Sequence, residues 1–201
     1  MYRILYGTSS LLLVITYPLM KRITYWPQLF LGLTFNWGVM LGWSAVYQGI
    51  IDWTVVTPLY LACIFWTLIY DTIYAYQDYN HDKQVGIKST ALRFGEKPKQ
   101  WLGLFSAAMV TSLLASGVMA DQTWPYYAAV LATSVRLSEL VYNLNVYDSA
   151  DCGRRFRQNQ QIGLIMLFGI VLGTLLKPRQ KSNQDKMSAK EGEHKLNTEV
   201  I

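Results

Sequence analysis

Residues 68–83 read LIYDTIYAYQDYNHDK and place three aspartates, Asp71, Asp78 and Asp82, at the end of a strongly apolar region. An α-helix turns about 100° per residue, so steps of seven and eleven residues return to within about 20° of the starting direction. We therefore predict a helix whose three carboxylates project from one face over about three turns. Ionisable groups at the end of a membrane helix are costly, and they indicate a functional site.

The three carboxylates have a metal-binding interpretation and a simpler one. Mg²⁺ prefers oxygen ligands and typically takes a few carboxylates, leaving its other positions to water and substrate phosphates. The simpler interpretation is the solvated end of an amphipathic helix, which explains one or two acids better than three. We interpret Asp71, Asp78 and Asp82 as candidate Mg²⁺ ligands.

Composition indicates a membrane protein. Of the 201 residues, 52% are hydrophobic and 15% are charged. A helix that crosses a bilayer needs about 20 mostly apolar residues, and the runs of this kind are too many and too long for a soluble domain. We expect an all-α fold, a polytopic membrane helix bundle with six transmembrane helices. The predicted spans are Ile4–Met20, Ile23–Ile51, Trp53–Tyr70, Leu102–Ala120, Gln122–Tyr147 (interrupted by Arg136 and Glu139) and Gln158–Leu176.

The remaining composition adds little about function. Residues 177–201 are rich in Lys, Glu, Ser, Asn and Gln, so we predict a disordered tail after a membrane domain of residues 1–176. The two cysteines, Cys63 and Cys152, do not suggest a disulfide framework. We expect no nucleic-acid partner despite the net charge of +5, because the basic residues lie in loops beside the spans. The start resembles no targeting sequence.

Helix parity predicts how the loops are distributed across the membrane. If each span crosses once, Lys21 and Arg22, residues 71–100 and residues 148–157 share one side, here called the acidic side. The tail after Lys177 then lies on the opposite side. Lys and Arg of short loops concentrate on the acidic side, which by the positive-inside rule faces the cytoplasm or the mitochondrial matrix.

Cationic and hydroxyl side chains on the acidic side suit a diphosphate. Carboxylate-bound Mg²⁺ with nearby cations neutralises charge on a departing diphosphate oxygen. Tyr17 and Lys21 are four residues apart and would share a helix face. For Lys21 and Arg22, ordinary topological anchoring is the alternative. Further candidates follow the aspartates: Lys88, Ser89, Thr90 and Arg93.

A second acidic segment has a different interpretation. Residues 145–151 read NVYDSAD, with Asp148 and Asp151 three residues apart. We interpret this segment as a solvated loop, and we interpret the basic residues that follow as membrane anchors: Arg154, Arg155 and Arg157.

These motifs together resemble the UbiA prenyltransferase family. Residues 71–82 with IKSTA at 87–91 resemble its second aspartate-rich motif, and YPLMKR at 17–22 resembles its Tyr-x-x-x-Lys element. WPQLFLGLTFNWG at 26–38 is similar to the stretch that follows in members acting on 4-hydroxybenzoate. The resemblance covers about residues 12–176.

The resemblance implies Mg²⁺-dependent transfer of a polyprenyl group from polyprenyl diphosphate to 4-hydroxybenzoate in ubiquinone biosynthesis. It implies that Asp71, Asp78 and Asp82 hold Mg²⁺ on the diphosphate, and that Tyr17, Lys21 and Asp71 act in catalysis. Lys21, with Arg22, Lys88 and Arg93, would bind the diphosphate. The expected location is the mitochondrial inner membrane with the site facing the matrix. Expected partners are the lipid bilayer and other ubiquinone-biosynthesis proteins.

One departure from the family pattern keeps an alternative open. The family's first aspartate-rich motif, Asn-Asp-x-x-Asp-x-x-x-Asp, does not occur in this sequence. The six predicted spans then correspond to the last six of a nine-helix fold, as in an isoform or fragment without the first three. The alternatives are a catalytically inactive membrane protein acting through protein contacts, and, less favoured, an ion-coupled transporter.

Overall fold

The computed structural model describes residues 2–178, and in these residues all regular structure is helical. The tail predicted from residue 177 lies almost entirely outside the described residues. The helices, in chain order, are α1 (Tyr2–Ile23), α2 (Pro27–Phe35), α3 (Gly38–Val46), α4 (Trp53–Ala75), α5 (Tyr79–Val85), α6 (Thr90–Phe94), α7 (Pro98–Met119), α8 (Trp124–Tyr142) and α9 (Ser149–Leu175).

The predicted membrane helix bundle is confirmed, although not the number of spans. Within residues 2–178, four helical stretches are long and apolar enough to cross a bilayer. They are Pro27–Val46, Trp53–Ala75, Pro98–Met119 and Ser149–Leu175. Helices α1 and α8 occupy the other two predicted spans without meeting the same standard, so the count of six stays a prediction.

Helix α4 is the centre of the bundle, because it packs against α2, α3, α6, α7 and α9. Its buried side chains include Val56, Ile69 and Ile73, each fully shielded from solvent. Helix α8 packs mainly on α7 and α9. Helix α1 lies at the edge of the bundle, against α2 and α3.

The predicted second span is two helices joined at Asn36 and Trp37. The Asn36 amide donates hydrogen bonds of 2.8 Å to the Gly32 carbonyl and to the Thr67 hydroxyl on α4. The Trp37 indole donates to the carbonyl of Tyr6 on α1, at 2.9 Å. These side chains stabilise the break by giving polar groups partners inside an apolar bundle.

Hydrogen bonds between helix ends agree with the predicted parity. On the acidic side, the Lys88 amide donates to the Lys21 carbonyl at the end of α1. Lys99 at the start of α7 donates to the Tyr142 carbonyl at the end of α8, at 2.7 Å. Ser149 at the start of α9 donates to the Gln77 carbonyl beyond α4, at 3.5 Å. The loops expected to share one side thus meet at one end of the bundle.

A second set of hydrogen bonds joins the opposite end. Thr123 before α8 donates to the Gly173 carbonyl near the end of α9, at 2.8 Å. The Lys177 ammonium donates to the Ala120 carbonyl after α7, at 2.9 Å. The helices therefore run antiparallel in chain order from α7 to α9.

The charged residues of α8 are paired with each other and with α9. Arg136 forms an ion pair with Glu139 one turn later. The same guanidinium donates two hydrogen bonds to the Gln161 side chain of α9, at 2.7 and 3.1 Å. Helices α8 and α9 also approach closely at Gly169, where a Cβ would clash with that of Ala129.

Asp151 is buried, so the interpretation of residues 145–151 as a solvated loop is wrong at this position. Helix α9 begins at Ser149, and Asp151 lies in its first turn. Its carboxylate accepts hydrogen bonds from Arg155 (2.7 Å), Arg154 (3.0 Å) and the Asn145 amide (3.1 Å). Arg154 and Arg155 therefore stabilise the α8–α9 connection rather than acting merely as anchors.

We predict that three cysteine substitutions will divide between the two membrane faces. In a chain with Cys63 and Cys152 replaced by serine, Gln84→Cys and Tyr147→Cys should react with a membrane-impermeant maleimide from the same side. Gln48→Cys should react from the other side, because Gln48 lies between α3 and α4. Labelling of positions 84 and 147 from opposite sides would mean that the helix count between them is wrong.

Asp151→Ala should lower the free energy of unfolding by about 3 kcal/mol or more, because it leaves the mostly buried Arg155 guanidinium without its counter-ion. Glu139→Ala is the control. The Glu139 side chain is 54% exposed, and loss of an exposed pair typically costs at most about 1 kcal/mol. Unfolding in mixed micelles at increasing dodecyl sulfate measures both variants. Equal losses would contradict a special role for the buried pair.

Candidate functional site

The three aspartates lie on two helices and in the connection between them, which corrects the predicted continuous helix. Asp71 lies on α4, Asp78 lies in the connection, and Asp82 lies on α5. Helix α4 ends because its next residues make tertiary contacts. The Tyr76 hydroxyl donates to the Gly95 carbonyl at 2.9 Å, and the Gln77 side chain packs so closely on Gly153 of α9 that a Cβ there would lie 2.9 Å from its oxygen.

Lys21 is a cation near two of the aspartates, Asp71 and Asp82. Its ammonium interacts electrostatically with Asp71 and with Asp82. It also lies 5.8 Å from the centre of the Tyr17 ring, so these two side chains do share a face of α1. The end of α1 therefore presents an ammonium and a phenol to carboxylates of α4 and α5.

The environment of Asp82 is partly desolvated and negatively charged. Burial raises the pKa of its carboxyl, and the nearby Asp78 carboxylate raises the pKa further. His81 and Lys21 act against this shift. A carboxylate pair of this kind attracts a cation, because an added positive charge relieves the repulsion between Asp78 and Asp82.

The Lys88 side chain binds the end of α1. Its ammonium donates to the Ile23 carbonyl at 3.0 Å and lies 5.5 Å from the centre of the Tyr25 ring. Lys88 also lines a groove together with Lys83 and Asp82. An ammonium has three donors, so this carbonyl contact leaves two for a ligand. Arg22 and Arg93 are exposed.

The hydroxyls of Ser89 and Thr90 are not available to a ligand, contrary to the prediction. Both residues are buried. The Ser89 hydroxyl accepts from the Leu92 amide and begins α6. The Thr90 hydroxyl lies 2.6 Å from that of Thr72 on α4, and the Thr90 amide donates to the Gln28 side chain of α2 at 3.0 Å. Sequence reasoning did not include Gln28 and Thr72, which contribute no charge.

The donor set suits a metal that is shared with a substrate. Within residues 2–178, no group of three or more His, Cys, Asp or Glu side chains is close enough to enclose a metal ion. Mg²⁺ is typically bound through one or two carboxylates together with substrate phosphates, and not in an all-protein cage. Asp78 and Asp82, with Asp71 near Lys21, fit that mode of binding.

Comparison with known proteins agrees with the motifs. The model of the UbiA prenyltransferase family matches residues 2–173. The chain is 57% identical over 176 residues to the mitochondrial 4-hydroxybenzoate polyprenyltransferase of Aedes aegypti, covering 88% of this chain and 40% of that protein. Its identity to the protein of the same name from Drosophila melanogaster is 56% (92% and 47% covered), and to that from Homo sapiens 54% (92% and 50%).

The matches identify a family but cover only part of the length of the curated relatives. The chain spans about half the length, or somewhat less, of these curated relatives. No solved structure matches it. The family model, in contrast, covers every helix described above except the last residues of α9. The chain therefore belongs to the UbiA prenyltransferase family.

Proposed function

We propose that the protein formed with this chain transfers a polyprenyl group from polyprenyl diphosphate to 4-hydroxybenzoate in ubiquinone biosynthesis. The observation that carries the proposal is that the ends of α1 and α4 meet the start of α5, where the Lys88 amide donates to the Lys21 carbonyl and where Asp82, Lys83 and Lys88 line one groove. The names of the relatives support the choice of substrates.

The proposed chemistry divides the site into a metal-binding part and a cationic part. Asp71, Asp78 and Asp82 would hold Mg²⁺, which supplies positive charge to the diphosphate. Lys21 would bind a diphosphate oxygen, and the Tyr17 hydroxyl would donate a hydrogen bond to the same group. Stabilisation of charge that develops on a leaving group is a large contribution to catalysis.

The bond changes follow from this arrangement. The allylic carbon–oxygen bond breaks, and its electron pair leaves with the diphosphate. The ring carbon ortho to the hydroxyl of 4-hydroxybenzoate then forms the new carbon–carbon bond and loses its proton. Lys88 and the exposed Arg22 and Arg93 are further proposed diphosphate contacts, since each carries positive charge on the acidic side.

The location of the site explains why this reaction would be catalysed by a membrane bundle. The prenyl tail is apolar and stays among helices and lipid, while its charged head reaches the ends of α1, α4 and α5. We propose the mitochondrial inner membrane with the acidic side in the matrix, on the basis of the concentration of short-loop Lys and Arg there. The relatives' names support a mitochondrial location.

A second candidate function is an inactive membrane protein that acts through protein contacts. This candidate rests on residues 1–201 as they stand, which contain one of the family's two aspartate-rich motifs. The two candidates differ in whether residues 1–201 catalyse the reaction alone.

The aspartates can be tested in a chimera in which residues 2–173 replace the matching part of the Drosophila melanogaster relative. We expect Asp71→Asn or Asp78→Asn to abolish prenyl transfer by removing a metal ligand, while the variant still inserts and folds. Prenylated product is measured in a host without its own 4-hydroxybenzoate prenyltransferase. Asp121→Asn is the matched control, because Asp121 is an exposed aspartate on the opposite side. Full turnover in either of the first two variants would contradict the metal assignment.

Residues 1–201 alone should form little or no prenylated product in the same host. Groups that act as a unit fail together, so a site with one aspartate motif should lose far more than half of its rate. The unsubstituted chimera provides the reference for host and substrate supply. Product from residues 1–201 at the rate of the chimera would show that the first motif is dispensable, and it would exclude the inactive alternative.

A further inference from the structure

We propose that Thr72, Thr90 and Gln28 are positioning residues that set the spacing between Lys21 and the aspartates. This inference rests on the proposed function, since the spacing matters for a diphosphate bound between them. None of the three contributes charge to the site. We call this hydrogen-bonded group the threonine pin.

The pin lies directly beneath the site and is closed to solvent. Thr72 follows Asp71 on α4, and Thr72 and Thr90 each have 0% exposure. Their hydroxyl oxygens are 2.6 Å apart. Gln28 of α2 is 5% exposed and accepts the Thr90 amide hydrogen at 3.0 Å. Thr90, the first residue of α6, is therefore joined to both α4 and α2.

Two residues earlier, the loop between α5 and α6 is joined to the end of α1. The Lys88 amide donates to the Lys21 carbonyl at 2.9 Å, and the Lys88 ammonium donates to the Ile23 carbonyl at 3.0 Å. Residues 88–90 thus connect the backbone that carries Lys21 with the helix that carries Asp71. The connection passes through the two hydrogen bonds of Lys88 and the hydroxyl pair of Thr72 and Thr90.

In the described part of the chain, direct packing of α1 on α4 does not fix this spacing. Helix α1 packs substantially against α2 and α3, but α1 and α4 do not pack substantially against each other. Lys21 itself is exposed. Without direct packing, the distance from the end of α1 to Asp71 depends on the bridging loop and on α2. The loop route passes through the pin, and the pin also joins α2 to α4 at this end of the bundle, beside the direct packing of α2 on α4.

Hydrogen-bond chemistry predicts how the pin fails. Replacing one hydroxyl of a buried pair leaves the other without a partner in an apolar environment, which is costly. The loop would move to let the remaining hydroxyl reach water, and Lys88 would carry the end of α1 with it. Serine keeps the hydroxyl, so Thr72→Ser should preserve the pin.

The first experiment measures the spacing itself. Spin labels are attached at Ile23→Cys and Gln84→Cys, which are both exposed positions. They report the distance between the ends of α1 and α5. The protein is residues 1–201 with Cys63 and Cys152 replaced by alanine. Thr72→Val and Thr90→Val should broaden the distance distribution by pulsed electron resonance, whereas Thr72→Ser should not. Thr133→Val is the matched control, because the Thr133 hydroxyl is equally buried and has no hydrogen-bond partner.

The second experiment measures the consequence for the site. Affinity for geranyl thiodiphosphate with Mg²⁺, an analogue that resists ionisation, is determined by calorimetry in the chimera described above. Thr72→Val and Thr90→Val should weaken binding about tenfold, and Thr72→Ser and Thr133→Val should stay within about twofold of the unsubstituted protein.

The outcomes separate the inference from the proposed function. Unchanged distances in both valine variants would overturn the pin, and changed distances with unchanged affinity would overturn its positioning role. If the unsubstituted chimera does not bind the analogue, the proposed function fails and the positioning role fails with it. The distance measurement then still decides whether the pin fixes the helix ends.

Discussion

The hydrogen bonds of residues 88–90 to three helices determine the arrangement of the acidic side. Lys88 holds the end of α1, and Thr90 holds α4 and α2. The Thr90 bonds lie in a buried surrounding where polar groups need partners, so they are costly to break. Lys21 and the aspartates interact with one another over longer distances than a hydrogen bond. Their positions therefore depend on the hydrogen bonds of residues 88–90.

The membrane fold was predictable because its signal is local. Long apolar runs identify spans wherever they occur, and the observed α4, Trp53–Ala75, begins at the predicted residue. The end of α4 was not predictable in the same way. No glycine or proline marks residues 76–78, and the break depends on Gly95 and Gly153, which are distant in sequence. Asp151 was misjudged for a similar reason, since its partners become close only when α9 begins at Ser149.

The candidate site was predictable to the extent that it depends on charge and on spacing along one helix. Tyr17 and Lys21 are one turn apart, and their shared face follows from helix geometry alone. The use of Ser89 and Thr90 depends on which side chains the fold places opposite them. From the sequence alone, a hydroxyl can hydrogen-bond a phosphate or another protein group. Ser89 and Thr90 are buried in the fold, so their hydroxyls bond to protein groups.

The pairing of Arg136 with Glu139 and Gln161 has a consequence for how the protein enters the membrane. An arginine and a glutamate within α8 disfavour its transfer into lipid as a single helix. One of the groups that compensates for this cost, Gln161, belongs to α9. Helices α8 and α9 would therefore enter the bilayer together as a helical hairpin.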